Sequence, residues 1–248
     1  MHRFFLPKEY IQLERVHFPE QIARQMRNVL RIKPGEHVIV LDNRGSQWEV
    51  IVEDLSTEVV KGRILSKSVA GGEPNTKLHL YFSMTQREKM EWILQKCTEV
   101  GASAFTPFIS SFSIARDKVV DVSRIRRWEK IIQEAAEQSE RGRIPALVNP
   151  TQLHLAVKKV GASKALTLVG WEGEKVTALK DVLKMQTQKP GQEMRVNLFI
   201  GPEGGFAESE IELIKKAGIL TFTLGDRILR METAAMVSCA LILSEFEK

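Results

Sequence analysis

Cysteine is nearly absent from this chain of 248 residues: only Cys97 and Cys239 occur. They fall on two separate predicted helices, so neither a disulfide framework nor a thiolate zinc site is expected. Histidine is little better represented, and His2, His17, His37, His79 and His154 fall at no metal-ligand spacing, so no metal is expected. A long hydrophobic run is also missing. The longest, Ala234–Leu243, is broken by Ser238 and falls far short of the roughly 20 residues a bilayer demands. The first residues, MHRFFLPKEY, have neither the apolar core nor the small-residue cleavage site of a secretion signal. No internal repeat or low-complexity tract is present. Together these absences point to the cytoplasm and to no membrane partner.

What remains is an ordinary folding composition, 43% apolar and 27% charged, with length enough for two domains. The formal charge is +5. A mild excess of this kind suits a nucleic-acid partner without requiring one, so its location matters more. Between Arg3 and Lys33 seven basic residues face three acidic ones, a local net of +4. Arg24, Arg27 and Arg31 stand at i, i+3 and i+7 of a predicted helix, where they would form a phosphate-tracking strip, with His17 just before it; a solvated helix face is the bland alternative. A second basic cluster, Arg124, Arg126, Arg127, Lys130, Arg141 and Arg143, is diluted by Glu129, Glu134, Glu137 and Glu140.

Residues 1–70 read as a small β-barrel domain. Strands are predicted at Arg3–Leu6, His37–Leu41, Gln47–Glu53 and Val59–Lys67, with one helix at Glu20–Arg31 stopped by Pro34-Gly35. Ser68–Thr76, with Gly71-Gly72 and Pro74, reads as a linker whose centre is 71–76. From Lys77 to Lys248 strands and helices alternate. Strands are predicted at Leu78–Met84, Phe105–Ile109, Ala165–Gly170, Val196–Ile200 and Ile219–Leu224. Helices are predicted at Glu88–Val100, Ser123–Arg141, Val176–Met185, Glu208–Ala217 and Glu232–Phe246. This alternation implies an α/β domain with a parallel sheet covered on both faces.

Two loops stand out in that domain. Gly201-Pro202-Glu203-Gly204-Gly205 follows a buried-looking strand, and three glycines in five residues cost chain entropy unless bare backbone must approach a ligand. Its place at the carboxyl end of a parallel strand is where open α/β sheets bind ligands. Leu224-Gly225-Asp226-Arg227-Ile228-Leu229-Arg230 ends the next strand. Its Ile228 and Leu229 either cap the core or line a slot for a flat apolar group such as adenine. Neither loop is G-x-G-x-x-G and no Walker lysine follows, which disfavours a dinucleotide oxidoreductase and a P-loop.

Taken in order, several segments resemble the family of 16S ribosomal RNA uracil-N3 methyltransferases, within the knotted SPOUT superfamily. They include His2-Arg3-Phe4-Phe5, Arg27–Arg31, Lys96–Gly101, Pro107, Arg127-Trp128 and Glu134–Arg141. The most specific are IGPEGGF at Ile200–Phe206 and LGDRILRMETA at Leu224–Ala234. Met231 departs from the family, where a threonine is common, which puts a capping hydroxyl in doubt.

The resemblance implies an N-terminal RNA-binding barrel of the PUA-like kind and a C-terminal SPOUT domain with a deep trefoil knot. It implies S-adenosylmethionine as cofactor, a homodimer, and 16S ribosomal RNA in the small subunit as substrate. Cofactor contacts are expected from Leu168, from Gly201, Pro202, Glu203, Gly204 and Gly205, from Leu224, Gly225, Arg227, Ile228 and Leu229, and from Met231, Thr233 and Ala234. RNA contacts are expected from Arg3, His17, Arg24, Arg27 and Arg31. The imino proton of uracil must leave before N3 becomes nucleophilic. Either a carboxylate, Glu203 or Glu232, takes it, or Arg230 stabilises charge developing on the carbonyl oxygens. The alternative function is an inactive RNA-binding or ribosome-assembly protein of the same fold.

Overall fold

The computed structural model describes residues 1–56, 60–114, 120–186 and 193–247. It divides into two compact units, Met1–Glu73 with Ala136–Ile144, and Pro74–Ala135 with Pro145–Lys248.

The first unit is a five-stranded sheet in the order β1-β3-β4-β5-β2, curled into a half-barrel. Its strands are β1 (His2–Phe5), β2 (Arg15–Phe18), β3 (His37–Leu41), β4 (Ser46–Leu55) and β5 (Val60–Val69). Alternate residues turn inward, so Phe4, Val16, Phe18, Val38, Val40, Val50, Val52 and Val60 meet in one core with Met26. β2 is absent from the expectation above because four residues beside a proline are too few to display a period. Val59, the predicted start of β5, lies outside the described residues.

The predicted helix Glu20–Arg31 is α-helical only over α1 (Glu20–Arg24) and continues as one turn of π-helix, Gln25–Val29. Leu30 N–H accordingly donates to Gln25 O at 2.9 Å, one residue farther back than in an α-helix. Arg31 follows in the left-handed region at φ 53°. The three arginines therefore do not share one α-helical face, because the π turn shifts their phase. Arg24 pairs with Glu20, and Arg27 donates to Ser56 O at 2.6 Å.

The predicted linker is shorter than its composition suggests, since Ser68 and Val69 pair with Gln47 and Ser46 within β5. Gly71 and Gly72 pack against the backbone of 140–142. Arg141, expected on a basic surface, is 2% exposed and bonds Glu73 at 2.8 Å. Glu137 Oε1 accepts from Phe5 N–H at 3.2 Å, and Asn43 Oδ1 from Ile144 N–H at 2.7 Å. Glu137 and Arg141 of the Glu134–Arg141 motif thus hold the first unit together.

The second unit is a seven-stranded parallel sheet, β12-β10-β11-β6-β7-β8, with β9 also paired to β7. The strands are β6 (Lys77–Ser83), β7 (Ala104–Ile109), β8 (Ala146–Leu147), β9 (Thr151–Gln152), β10 (Leu166–Gly170), β11 (Arg195–Ile200) and β12 (Leu220–Phe222). The helices are α2 (Arg87–Val100), α3 (Val122–Gln138), α4 (Leu153–Gly161), α5 (Leu179–Lys184), α6 (Glu208–Lys216) and α7 (Met231–Phe246). Tyr81, Val169 and Phe199 face α4 and α6 in one core cluster. On the other face α7 packs on β6, β11, α2 and α5. Both faces are covered, as near-continuous apolar strands require. α5 begins three residues later than expected, because the backbone at 177–179 pairs with Thr223 instead of coiling.

Candidate functional site

The strand register sets where the site lies. Leu220, Leu168, Leu198 and Leu80 stand abreast across β12, β10, β11 and β6. Two residues farther on, Phe222, Gly170, Ile200 and Phe82 form the last rung. Beyond it the carboxyl ends of β10, β11 and β12 open into a cavity of about 760 Å³, within the range of small-molecule sites.

Both glycine loops form its walls. One contributes Gly201, Pro202, Glu203, Gly204 and Gly205; the other Leu224, Gly225, Asp226, Arg227, Ile228, Leu229 and Arg230, with Met231 and Ala234 from the start of α7. A β-carbon at Gly201 would stand 2.7 Å from the Phe206 ring, which stacks on Phe108 in the core. Gly205 has φ 73°, and a β-carbon there would strike the Glu172 carboxylate. Side chains at either position would distort the loop or fill the cavity.

The loops are held differently. Glu203 Oε1 accepts from the Thr85 hydroxyl at 2.5 Å and from Lys89 Nζ at 2.8 Å, which ties the first loop to α2. Burial pushes the Glu203 carboxyl up, but the bonds from Lys89 and Thr85 outweigh it and hold the group below its ordinary value. Glu210 Oε2 accepts from Ala207 N–H at 2.9 Å and fixes the start of α6 just past this loop.

The second loop is closed at its base, where Thr223 Oγ1 accepts from Gly225 N–H at 3.2 Å. Beyond that, Asp226, Arg227, Ile228 and Leu229 make no hydrogen bond among the described residues, although Ile228 is 86% exposed. Behind it Glu174 accepts from the Thr221 hydroxyl and from the backbone of Val176 and Thr177, which lower its carboxyl to about 2.

Three expected residues lie elsewhere. Leu168 is fully buried two residues before the last rung, and Gly170 lines the cavity. Thr233 and Glu232 stand in the first turn of α7 and do not line it. Glu232 Oε2 is buried with no partner among the described residues. Arg230 is the N-cap of α7, exposed on the cavity wall, with no side-chain partner among the described residues. Met231 is buried as the first helical residue, and no side chain caps the helix.

Gly170, Trp171, Glu172, Lys175, Ile200, Phe222, Thr223 and Lys89 also line the cavity and were not anticipated. The end of β10 was the available signal for Gly170 to Glu172; Lys89 carried none. The wall's charges are four basic (Lys89, Lys175, Arg227, Arg230) and three acidic (Glu172, Glu203, Asp226). In the first unit, Arg24 and Arg31 are exposed, while Arg3, His17 and Arg27 are half-buried. Arg3 donates to Gln47 Oε1 at 3.0 Å.

Comparison with known proteins agrees with this geometry. The model of an RNA methyltransferase domain matches residues 72–243, and that of an RNA methyltransferase PUA domain matches residues 19–65. The ribosomal RNA small subunit methyltransferase E of Synechocystis is 32% identical over 217 residues, covering 88% of this chain and 69% of its own. Its namesake in Bacillus subtilis is 29% identical over 222 residues, covering 89% and 86%. A crystal structure of the corresponding enzyme from Neisseria gonorrhoeae, bound to S-adenosyl methionine, superposes with a TM-score of 0.86 at 29% identity, covering 98% of this chain and 97% of that one. With an RNA methyltransferase model spanning more than half its length and a relative of this similarity, the chain belongs to the ribosomal RNA small subunit methyltransferase E family.

Proposed function

We propose that this protein transfers a methyl group from S-adenosylmethionine to N3 of a uridine in 16S ribosomal RNA, acting in the cytoplasm on the small ribosomal subunit. The observation that carries this is the single cavity enclosed by both glycine loops at the ends of β11 and β12. The cavity fits the cofactor. Bare backbone at Gly201 and Gly205, unpaired backbone at 226–229, and apolar walls from Ile200, Phe222, Ile228 and Leu229 suit a flat ring with an adjoining polar chain. Bound there, S-adenosylmethionine supplies an electrophilic methyl group.

The chain's own residues then have separable tasks. Glu203 is a poor proton acceptor, because Lys89 and Thr85 stabilise its ionised form; it orients the loop. Glu232 stands behind the wall. Arg230, exposed and unpaired, is positioned to stabilise negative charge on the uracil carbonyl oxygens as the imino proton leaves.

The half-barrel unit, with Arg3, His17, Arg24, Arg27 and Arg31, would dock RNA through phosphate contacts. A second copy of the chain would cover α7, which leaves Leu241 46% exposed. The knot belongs to the same proposal: β12 comes last of the strands but pairs with β10, and 177–179 runs beside Thr223. The division into a barrel at 1–70, a linker at 71–76 and a catalytic domain at 77–248 is proposed on the same footing.

The test is transfer of labelled methyl from S-adenosylmethionine to small subunits, with the product base identified by mass spectrometry. N3-methyluridine is expected. Label on a ribose or on another base, or no label, would refute the assignment.

A further inference from the structure

Phe112 is a large aromatic side chain left 52% exposed on the loop that follows β7. Because the sheet is parallel, that loop emerges at the same end as the two glycine loops. Its backbone is fixed on both sides of the phenylalanine. Ser110 and Ser113 are each only 4% exposed. Ser113 Oγ accepts from Ser110 N–H at 2.8 Å and lies 2.7 Å from Ser83 Oγ at the end of β6. Ser111 N–H donates to Glu210 Oε1 at 2.8 Å, on the helix that leaves the first glycine loop.

The side chain so held rests on that loop. A β-carbon at Gly204 would stand 3.1 Å from Phe112 Cβ and 3.7 Å from its Cγ. Gly204 and its neighbour Glu203 belong to the cavity wall, but Phe112 does not. Phe112 therefore stands beside the cavity wall without lining it, on a loop anchored at Ser110, Ser111 and Ser113. An apolar ring pinned at the edge of a site and left in water suggests a flat partner.

From this we infer that Phe112 is a stacking platform for an unpaired nucleobase of the RNA, the one next to the nucleotide whose base enters the cavity. The inference rests on the RNA substrate proposed above. A base can reach a cavity at strand ends only once it is splayed from its neighbours, and the neighbour then loses a stacking face. An aromatic ring just outside the rim restores it, whatever the base, since every base has a π-face. The cavity wall carries four basic residues against three acidic ones, so the exposed aromatic face rather than charge is what selects a nucleobase here.

The experiment compares the wild type with Phe112→Ala and Phe112→Trp. Two readouts are used: methyl transfer to small subunits, and fluorescence of a single-stranded RNA carrying 2-aminopurine beside its one uridine. Stacking of about 1–3 kcal/mol corresponds to a roughly 5- to 150-fold rise in KM for Phe112→Ala. kcat and S-adenosylmethionine affinity should stay within about twofold and the tryptophan variant should restore KM, on the same stacking scale. The wild type and the tryptophan variant should quench 2-aminopurine on binding, and the alanine variant should not.

Equal quenching by all three proteins, or an unchanged KM, overturns the platform. So does a parallel loss of cofactor affinity, which would make Phe112 a brace for Gly204, or a change in sedimentation, which would make it a contact between copies. The fluorescence readout needs no turnover. A wild type that transfers no methyl would therefore sink the proposed activity while the quenching still decides the platform.

Discussion

His79 makes the stability of the second unit depend on pH in a window that can be named in advance. The residue lies in β6, between Asn197 of β11 and Ala104 of β7. Its Nε2 is 2.8 Å from Thr106 Oγ1, and its ring stacks on Tyr81 at 4.2 Å. Burial, reinforced by the charge of Lys159, lowers its pKa from 6.5 to about 4. The unfolded chain therefore holds a proton between those values that the native chain refuses. Stability is full above 6.5 and falls as the pH drops towards 4.

At about 1.4 kcal/mol per pH unit, the loss from this one group reaches about 2 kcal/mol by pH 5 and ~3 kcal/mol by pH 4. Glu91 and Glu174, both lowered to about 2, contribute only as the pH falls below 4.5, so the upper part of the window belongs to histidine. His79→Gln keeps a partner for Thr106 and removes the titration. Urea unfolding between about pH 7 and pH 5 should show the loss in the wild type and a flatter profile in the variant. An unchanged slope in the variant, or an NMR titration of His79 centred near its ordinary value, would refute the reasoning.

The other predictions concern the site and the ion pairs. Arg230→Ala should lower kcat by about 100- to 1,000-fold while the calorimetric affinity for S-adenosylmethionine is unchanged; equal losses in both would remove Arg230 from the chemistry. Gly205→Ala places a side chain at φ 73° against the Glu172 carboxylate. It should weaken cofactor binding about tenfold and cost only ~1–2 kcal/mol of stability, read by calorimetry and thermal melting. Changing Arg24, Arg27 and Arg31 together to alanine should weaken RNA binding and flatten its salt dependence with cofactor binding intact, as a filter-binding series over salt would report. Arg141→Ala strips the half-buried Glu73 carboxylate of its guanidinium partner, leaving it only the Arg143 N–H among the described residues, and should cost about 3 kcal/mol in chemical denaturation, more than the double variant Arg141→Met with Glu73→Leu.

What could be read from the sequence was whatever repeats at short range. β6, α2, β7, β10, β11, α6, β12 and α7 all appear within a few residues of the predicted bounds, because apolar period and glycine punctuation are local signals. What escaped depends on partners far away or on backbone geometry. Arg141 looked like surface charge because Glu73, which neutralises it, lies 68 positions earlier. The π turn at Gln25–Val29 changes a hydrogen-bond register that no residue type advertises. α4 escaped because its apolar face is only four residues, Leu153, Ala156, Val157 and Val160, between lysines and a glycine. The first glycine loop was legible, since the cost of three glycines in five residues needs a local explanation, and the second through Gly225 and the apolar pair Ile228-Leu229 between charges at a strand end. Leu168 was assigned to the cavity, and the register puts Gly170 there, because two residues decide which rung of a sheet meets a ligand.

The unequal anchoring of the two loops has a thermodynamic consequence. The first is pinned by Glu203 to Thr85 and Lys89 and followed by Phe206 in the core. Its shape is paid for by folding. Among the described residues the second has no backbone bond at 226–229 and leaves Ile228 almost wholly in water, so a ligand that fills the cavity can add burial there. A ligand held between such walls gains orientation from the first and burial from the second. Arg230 caps α7 where the second loop ends, so burial of that loop would also restrict the arginine. On the role proposed above for Arg230, cofactor binding would thereby also place the charge-stabilising group.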